Sequence, residues 1–532
     1  MARSPLSASI RRAIMLARSS NRTGMDVAEL MERRRNAMTR RQFLGATLAA
    51  GAALGVSACA TTIDLDKERA KNGPRVVVVG AGLGGLTCAY ELAKAGIKAA
   101  VYEASPRVGG RAFTKHDILK NGAFVDLGGE FLDVPHVESI ALCKELGVRL
   151  IDMRQDGNLV EQAYFSDGKI HSEAELIAAL KPMIEIIDKD MSLIPKEPKQ
   201  PLAMEFQVRR TKVRKQMDER TLADYFELRY IKGWLRKLME SAYVTEFGME
   251  SNEQSAMNML SCFYIDADAG RLEPFGHEAE TIKMEGGAQA IATALAEKLD
   301  GSVELEHRLT ALRYTGGEYL LTFARGEGSL EVSADFVVLA LPFTMLREVD
   351  VRLELPREKK QAIAELGYGN SAKLLMGMAS APWRAAGFAG GTITDLAFQL
   401  SWDNARMQGK SAGLTFFLGG KAALELGKGT PREQVDRLLP ELDKVFPGSK
   451  DAFNGHFQRM HWPSHPFLKA GYAAYKPGQY TTIRGNEQPP VGNLFFAGEH
   501  VSEFGQGYLN GGVETGMTAA KGVLEIAKTR GK

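Results

Sequence analysis

The stretch from Arg75 to Arg111 constrains the fold of this chain more than any other segment. Val76–Val79 are four consecutive β-branched residues, which is typical of a parallel strand buried on both faces. Gly80, Gly82 and Gly85 follow at once, with the spacing G-x-G-x-x-G. In a strand–turn–helix unit these positions allow a tight turn, the close approach of a pyrophosphate and the packing of helix on strand. The stretch therefore predicts a dinucleotide-binding unit.

The residues after the glycines strengthen this prediction, because 55 glycines in 532 residues can produce the spacing by chance. Apolar periodicity predicts a helix that ends at Gly96, and its unpaired N-terminal amides would face phosphate groups. A second strand, Ala99–Tyr102, places Glu103 eighteen positions after Gly85, where a carboxylate can accept hydrogen bonds from ribose hydroxyls. A carboxylate there disfavours NADP, and these residues leave FAD and NAD open.

Length and charge narrow the class of protein. A chain of 532 residues exceeds a single hydrophobic core, so two or three domains are predicted. Lys plus Arg number 67 against 65 Asp plus Glu, which does not suggest a nucleic-acid partner or an anionic-membrane surface. The basic run over 209–215 is interpreted as a solvated helix face. The four cysteines show no paired metal spacing, so no metal site is predicted.

The start of the chain is predicted to be a leader over 1–60 that lies outside the fold, followed by a linker over 61–74. Arg40 and Arg41 precede Gly45–Val56, an apolar run rich in Ala and Gly that is too short to span a bilayer. This layout is typical of a twin-arginine signal, which the twin-arginine (Tat) export machinery reads. Because that route carries folded proteins, the protein is predicted to reach the periplasm with its cofactor already loaded.

The end of the leader has a second interpretation. Val56–Cys59 also resembles a bacterial lipoprotein cleavage box, in which the cysteine becomes the lipidated first residue. Lipidation at Cys59 is the one way in which the sequence predicts contact with a membrane.

Beyond Arg111 the segments alternate between strand and helix, and a long helical stretch interrupts them. Helices are predicted over 136–146, 173–238, 288–299, 431–445 and 511–528, and strands over 124–130, 157–171, 302–314, 319–323, 334–342, 373–378, 414–418 and 493–500. Such a helical insertion between sheet segments is a natural second domain.

Four separated motifs follow one another along the chain. They are Glu103–Arg111 (EASPRVGGR), Gly367–Lys373 with Trp383 beyond it, His461–Pro463 with Gly471–Gly478, and Phe496–His500 with Gly507–Gly516. In these motifs and their order, from about Pro74 to the C-terminus, the chain resembles the flavin-containing amine oxidase family of monoamine, polyamine and L-amino acid oxidases.

The resemblance implies an α/β fold with an FAD-binding Rossmann-like domain of the glutathione-reductase type and an interleaved α+β substrate-binding domain. The FAD-binding domain is predicted to be discontinuous, over 75–155, 282–366 and 465–529. The substrate-binding domain takes the remaining segments, 156–281 and 367–464.

The resemblance also decides the cofactor, because the tail of the first motif is the family's flavin loop and nicotinamide enzymes have no reason to carry it. Mitochondrial monoamine oxidases have a flavin-bonded cysteine at the place of Gly471, so FAD is predicted to be held non-covalently here. The cofactor-binding residues that the resemblance implies are Gly80, Gly82, Leu83, Gly84, Gly85, Glu103, Ala104, Arg107, Gly110, Arg111, Gly128, Gly129, Glu130, Gly498, Glu499, Gly507, Tyr508 and Leu509.

Three residues are implied as catalytic. In the family a lysine at the place of Lys373 holds a water against flavin N5, and the alternative is a surface lysine on an edge strand. Tyr472 and Tyr508 fall where the family has two aromatic rings that flank the substrate nitrogen, and the alternative for each is a core aromatic.

The implied reaction is hydride removal from the carbon next to a neutral amine, with dioxygen as acceptor and hydrogen peroxide as product. A primary or secondary amine or a polyamine is the predicted substrate, and an L-amino acid is the alternative. Glu130 is interpreted either as the partner of a distal ammonium or as part of a structural salt bridge. An amino acid carboxylate would need an arginine, and Arg384 or the cluster over 209–214 would have to fold inward. A desaturase or isomerase of the same fold is a further alternative, which the tyrosine pair and Lys373 argue against.

Overall fold

The computed structural model describes residues 6–31, 73–157, 159–194, 211–264 and 281–530. Arg40, Arg41 and Cys59, on which the export and lipid-anchor predictions depend, lie outside the described residues. Within the described ranges, no helix is both long enough and apolar enough to cross a membrane.

A five-stranded parallel sheet lies at the centre of the nucleotide-binding half. In spatial order its strands are β10 (Val303–Glu304), β2 (Ala99–Tyr102), β1 (Val76–Val79), β14 (Phe336–Leu339) and β21 (Leu494–Phe496). All four residues of the central β1 are buried, which explains its uninterrupted run of valine. The strands come from the three segments predicted for the nucleotide-binding domain, so distant parts of the chain meet in one sheet.

A seven-stranded, mostly antiparallel sheet forms the other half. Its strands are β20 (Phe453–His461), β16 (Ser371–Met378), β19 (Ala412–Gly419), β18 (Leu400–Asp403), β17 (Phe388–Thr394), β7 (Val160–Ser166) and β8 (Lys169–His171). Every residue of β16 and β19 is buried. A side chain on either strand therefore lies in the interior and not at an edge.

Three smaller sheets and the helices complete the fold. The smaller sheets consist of β13 (Gly328–Ala334), β12 (Glu318–Arg325), β11 (Arg308–Thr315) and β15 (Asp350–Arg352); of β5 (Phe131–Leu132), β9 (Ile282–Met284) and β6 (Leu150–Asp152); and of β3 (Thr114–His116) and β4 (Phe124–Asp126). The helices are α1 (Leu6–Thr23), α2 (Leu83–Lys94), α3 (Val137–Leu146), α4 (Glu173–Ser192), α5 (Lys212–Asp218), α6 (Leu222–Leu228), α7 (Gly233–Phe247), α8 (Ala256–Tyr264), α9 (Gln289–Lys298), α10 (Phe343–Leu346), α11 (Arg357–Glu365), α12 (Pro382–Ala385), α13 (Gly420–Leu426), α14 (Pro431–Val445), α15 (Ser449–Ala452), α16 (Gln479–Thr482) and α17 (Leu509–Arg530).

The helix α1 contradicts, for residues 6–23, the prediction that the leader over 1–60 lies outside the fold. It packs against α4 and α7, and its residues Ala13, Ile14, Leu16 and Ala17 are buried in the larger hydrophobic core. The guanidinium of Arg18 binds the Asp188 carboxylate of α4, with 2.8 Å from Nε to Oδ2. For these residues the prediction was wrong because it extended the leader from the export pattern at Arg40 and Arg41 back to the first residue. The segment Leu6–Thr23 has an apolar face of its own.

The buried face of α1 gives a stability prediction for the uncleaved chain. Ala17→Glu would place an unpaired carboxylate at a fully buried position, which costs several kcal/mol. We expect the thermal midpoint to fall by about 5 °C or more. Thr23→Glu, at an exposed position near the end of the same helix, is the matched control and should leave the midpoint within about 1 °C of wild type. Equal midpoints for both variants would show that α1 does not contribute to the fold.

Candidate active site

The predicted glycine turn joins β1 to α2 with little space to spare. Gly80 has φ 107°, and a Cβ on it would lie 2.6 Å from the carbonyl oxygen of Ala340 at the end of β14. A Cβ on Gly85 would lie 1.9 Å from the Gly80 oxygen. Gly82 precedes α2 without a side-chain cap, and a Cβ on it would meet nothing within 4 Å. The N-terminal amides of α2 therefore open into free space beside Gly82.

This space is a cavity that brings together residues from both ends of the chain. Glu103 at its wall is 8% exposed and accepts hydrogen bonds from the amides of Ala81 at 2.7 Å and Ser105 at 2.9 Å. The predicted cofactor-binding residues that line the cavity are Gly80, Gly82, Leu83, Gly84, Glu103, Ala104, Arg107, Gly110, Arg111, Gly498, Glu499, Tyr508 and Leu509. Bare glycine backbone, a helix N-terminus and a carboxylate suit the pyrophosphate and ribose of a dinucleotide. The residues present therefore fit FAD.

Five predicted cofactor-binding residues stand outside the lining of this cavity. They are Gly85, Gly128, Gly129, Glu130 and Gly507. Gly85 packs α2 against the turn, and the amide of Gly507 donates to Glu499 at 2.8 Å. These two residues support the cavity wall.

The Glu499 carboxylate joins three of the four motifs. Its Oε1 accepts from Arg111 Nη1 at 2.6 Å and from the Ala473 amide at 3.2 Å, and its Oε2 accepts from the Gly507 amide. Burial favours the neutral acid, but the Arg111 guanidinium outweighs burial and holds the pKa of Glu499 below its ordinary value. Arg111 also donates to the carbonyl oxygen of Gly471 at 2.8 Å. Glu499 and Arg111 thus form a buried ion pair at the centre of the predicted site.

Lys373 lies on the inner strand β16 and is 2% exposed, so the alternative of a surface lysine on an edge strand is wrong. Its Nζ donates to the carbonyl oxygens of Asp126 at 2.9 Å and Gly128 at 2.8 Å, and to Glu130 Oε2 at 3.1 Å. Gly128 is in turn adjacent to Gly129, whose amide donates to Arg111 O at 3.0 Å. Backbone hydrogen bonds therefore connect Lys373 to the Arg111–Glu499 pair.

Glu130 is bound by a second buried lysine, Lys283, which approaches Oε1 to 2.9 Å. The indole of Trp402 also donates to Glu130 Oε2, at 3.0 Å. Burial disfavours the charged carboxylate, but Lys283 and Lys373 outweigh it and keep the pKa of Glu130 below its ordinary value. Of the two interpretations of Glu130, the structure shows the salt bridge.

The two tyrosines predicted to flank the substrate nitrogen both form hydrogen bonds at the C-terminal end of α7. Tyr472 is fully buried, and its hydroxyl donates to the carbonyl oxygen of Thr245 at 2.6 Å, near the end of α7. The Tyr508 hydroxyl lies 3.5 Å from Oε1 of the buried Glu246, the next residue of α7. The amide of Gly369 donates to Tyr472 O at 2.8 Å, which ties the second motif to the third. The structure thus fixes both rings from one end of α7.

A second cavity of about 570 Å³ shares Tyr508 with the first. Its charged lining residues are the carboxylates Asp133, Glu138, Glu503 and Glu514 and the guanidinium groups Arg214 and Arg484. Burial, together with the nearby charge of Glu138, raises the pKa of Glu514 above its ordinary value. The carboxylates outnumber the guanidinium groups, so the second cavity favours a cation over an anion.

The arginines considered for an amino acid carboxylate fall into two places. Arg384 binds Asp403 at 2.9 Å through both Nε and Nη2, and lies 3.6 Å from Asp156, so it is held in an ion-pair network. Arg214 of the basic run is 5% exposed and lines the second cavity. The interpretation of that run as a solvated helix face is therefore wrong for Arg214, because its position on α5 turns it into the protein.

Comparison with known proteins decides the family. The family model for flavin-containing amine oxidoreductases matches residues 83–524. The chain belongs to this family. It is 26% identical over 469 residues to the flavin-containing amine oxidase B of Sus scrofa, covering 84% of this chain and 86% of the relative, and 25% identical over 463 residues to the flavin-containing amine oxidase of Danio rerio, covering 84% and 85%. It is therefore an FAD-dependent amine oxidase.

Solved structures of amine oxidases share the fold. The superposition with a putrescine oxidase bound to putrescine covers 85% of this chain and 99% of the oxidase chain, with a TM-score of 0.71 and 21% sequence identity. The superposition with cyclohexylamine oxidase from Brevibacterium oxydans IH-35A covers 86% of this chain and 100% of that oxidase chain, with a TM-score of 0.73 and 22% sequence identity. The predicted α/β fold with an FAD-binding Rossmann-like domain is confirmed.

Sequence reasoning missed several residues of this site. Lys283, Trp402 and Asp126 surround Glu130 and Lys373, and Thr245 and Glu246 hold the tyrosines. Lys283 is the middle residue of the short strand β9 and lies between Ile282 and Met284. A charged residue inside an apolar strand was the signal that could have found it.

Proposed function

We propose that this chain is an oxidase that removes hydride from the carbon next to an amine nitrogen and passes the two electrons through FAD to dioxygen. The products are an imine and hydrogen peroxide, and water converts the imine to a carbonyl compound with release of ammonia or a smaller amine. The substrate is a primary or secondary amine or a polyamine.

The observation that carries this proposal is the pair Tyr472 and Tyr508, whose hydroxyl groups both bind at one end of α7, together with the buried Lys373. Two aromatic faces can bracket an amine nitrogen, and their burial favours its deprotonated form because desolvation disfavours the ammonium. Tyr508 belongs to the walls of both cavities, so a substrate held in the second cavity would lie beside the cofactor cavity.

FAD supplies the hydride-accepting centre when it is bound. The turn at Gly82 and the N-terminus of α2 would hold the pyrophosphate, Glu103 the ribose, and the first amides of α17 at Leu509 the pyrimidine edge of the flavin. Cofactor retention is proposed to be non-covalent. In support, a Cβ on Gly471 would lie 2.0 Å from Ser371 Oγ, so a cysteine does not fit there without displacement.

Two observations favour an amine as the substrate. The similar proteins described above are amine oxidases, including a putrescine oxidase and a cyclohexylamine oxidase. The second cavity also carries more carboxylates than guanidinium groups, which suits a cationic amine before it reaches the space between Tyr472 and Tyr508.

An L-amino acid oxidase is the second candidate. Arg214 and Arg484 both line the second cavity, and an arginine is the side chain best suited to bind an α-carboxylate. An amino acid carboxylate would need an arginine of the 209–214 cluster to point inward, and Arg214 is buried in the wall of the second cavity.

Peroxide release from the purified flavoprotein tests the proposal. Monoamines, diamines, polyamines and L-amino acids are offered separately, and peroxide is measured with a peroxidase-coupled dye. Peroxide from amines supports the proposal, whereas peroxide from L-amino acids alone would favour the second candidate. Peroxide from none of them would overturn the oxidase assignment.

Heat denaturation tests the mode of cofactor binding. We expect all yellow colour to pass into the supernatant when the precipitated protein is removed, because no side chain at Gly471 can bond to the flavin. Absorbance at the flavin maximum in both fractions is the measurement. Colour that stays with the precipitate after washing in denaturant would contradict non-covalent binding.

The proposed location is the periplasm, reached through a twin-arginine signal that contains Arg40 and Arg41. We expect replacement of both arginines by lysine to retain the protein in the cytoplasm, because the export machinery reads the arginine pair. Fractionation with immunodetection of the folded protein is the measurement. Undiminished periplasmic protein would exclude this route, and labelling with a radioactive fatty acid would test the lipid anchor at Cys59.

A further inference from the structure

The ammonium of Lys373 has no hydrogen to spare. A lysine ammonium has three N–H donors, and the acceptors Asp126 O, Gly128 O and Glu130 Oε2 take one each at 2.8–3.1 Å. A water molecule can bind to this nitrogen only when one of these bonds is exchanged. The bond to Glu130 is the longest of the three.

Glu130 lies between two lysines in a dry environment. Lys283 is 1% exposed, Glu130 and Lys373 are 2% exposed, and Lys283 also donates to Asn404 O at 3.3 Å. The Lys283 ammonium stands 5.6 Å from the centre of the Phe131 ring, and that of Lys373 stands 5.0 Å from Trp402. An aromatic ring therefore lies within cation–π distance of each ammonium group.

A single buried lysine–carboxylate pair has a competing neutral form. Because burial penalises both charges, the proton can pass from the ammonium to the carboxylate and leave an amine beside a carboxylic acid. A second cation at the carboxylate opposes this transfer, since it stabilises only the ionised form. Lys283 occupies that place, on the other oxygen of Glu130.

We infer that Glu130 and Lys283 are positioning residues, which hold Lys373 in its charged form and in one orientation. Lys283 acts through Glu130 and has no hydrogen bond to Lys373 among those of the described residues. The inference rests on the proposed function, because it takes Lys373 as the group that faces the flavin. It assigns a role to a second lysine that contributes from β9, a different strand and a different sheet.

The other ionisable group near this cluster is Asp126 on β4. Its Oδ1 accepts from Thr114 Oγ1 at 2.6 Å and from the Ala288 amide at 3.0 Å, while its carbonyl oxygen accepts from Lys373 at 2.9 Å. Burial and the charge of Glu130 raise the pKa of Asp126 to about 6. Titration of Asp126 therefore belongs to the acid side of neutrality.

The test compares Lys283→Met, Lys283→Arg and Glu130→Gln with wild type as flavin-loaded proteins. The rate at which dioxygen reoxidises the reduced flavin is measured by stopped flow from pH 6 to pH 10, per bound flavin. The reduction potential of the flavin is measured separately with reference dyes. Lys359→Met is the matched control, because Lys359 is a buried lysine that binds the Glu487 carbonyl elsewhere.

We expect Lys283→Met and Glu130→Gln to move the alkaline limb of the rate profile downward by at least one pH unit, which is about a tenfold loss of rate on that limb. The loss of positive charge in Lys283→Met should also shift the flavin potential to more negative values, because the reduced ring carries negative charge. Lys283→Arg should restore both, and Lys359→Met should change neither.

A pH profile equal to wild type in Lys283→Met and Glu130→Gln would overturn the inference, and so would a wild-type potential in Lys283→Met. Lys283→Arg that behaves like Lys283→Met in the pH profile and the potential would overturn it as well. If Lys283→Met does not fold, Glu130→Gln and Lys283→Arg still decide it. Failure of the proposed function is distinguishable: Lys373→Met would then leave both flavin reduction and flavin reoxidation unchanged, whatever the Lys283 variants do.

Discussion

Lys373→Met should lower the rate of flavin reduction or of reoxidation by about 100-fold or more, which is the usual cost of losing one preorganised donor in an active site. The side chain is buried and its ammonium joins Glu130 to the carbonyl oxygens of Asp126 and Gly128. Methionine keeps the length of the chain and removes the charge. Stopped-flow absorbance of the flavin, with substrate and then with dioxygen, measures both half-reactions.

The Lys373→Met variant needs a check on stability, since removing one partner of a buried pair costs about 3–5 kcal/mol. Glu130 keeps Lys283 as a partner, so its charge is not left unpaired. Rates are therefore expressed per bound flavin and compared at a temperature well below the midpoint of each protein. Lys237→Met, at an exposed lysine that binds Asp167, is the control and should keep wild-type rates. Unchanged turnover in Lys373→Met would remove the assignment of this residue.

The nucleotide-binding half could be predicted from the sequence because its signals are local. The valine run of β1, the glycine turn and the carboxylate after β2 all fall within thirty residues, and each has a steric or hydrogen-bonding cause visible in the structure. The helix over 431–445 was predicted to the residue, since Thr430 and Glu433 form a capping box in front of a strongly amphipathic segment.

The substrate half was harder to predict because its strands carry weak local signals. β17 contains Gly390 and Gly391, β18 has only four residues, and β20 has an irregular pattern of half-buried polar residues. Their pairing is set by contacts with β16, β19 and β7 from distant parts of the chain. None of these three strands was predicted.

The same reasoning explains what was missed in the site. Glu130 and Lys283 are 153 positions apart, and Glu130 and Trp402 are 272 positions apart, so no spacing rule connects them. Sequence reasoning could offer a salt bridge or a substrate contact for Glu130 without choosing between them. The choice depended on where β9 and β18 place their side chains, which only tertiary packing decides.

The glycine turn allows the roles of two residues to be separated by experiment. Gly82→Ala should leave the stability of the apoprotein within about 0.5 kcal/mol of wild type, because φ −74° suits alanine and the added Cβ meets nothing within 4 Å. The same methyl group points into the cavity proposed for the pyrophosphate. We therefore expect the dissociation constant for FAD to rise about tenfold or more, equivalent to about 1.4 kcal/mol.

Gly85→Ala should lower both the stability of the apoprotein and its affinity for FAD. Alanine within a helix would ordinarily stabilise it by about 0.4–1 kcal/mol, but here the Cβ would lie 1.9 Å from the Gly80 oxygen. Backbone must move, so the thermal midpoint of the apoprotein should fall as well as FAD affinity. Scanning fluorimetry of the apoprotein and titration with FAD measure the two effects. Wild-type affinity in Gly82→Ala would place the pyrophosphate elsewhere, and an undisturbed midpoint in Gly85→Ala would show that the turn is looser than its contacts indicate.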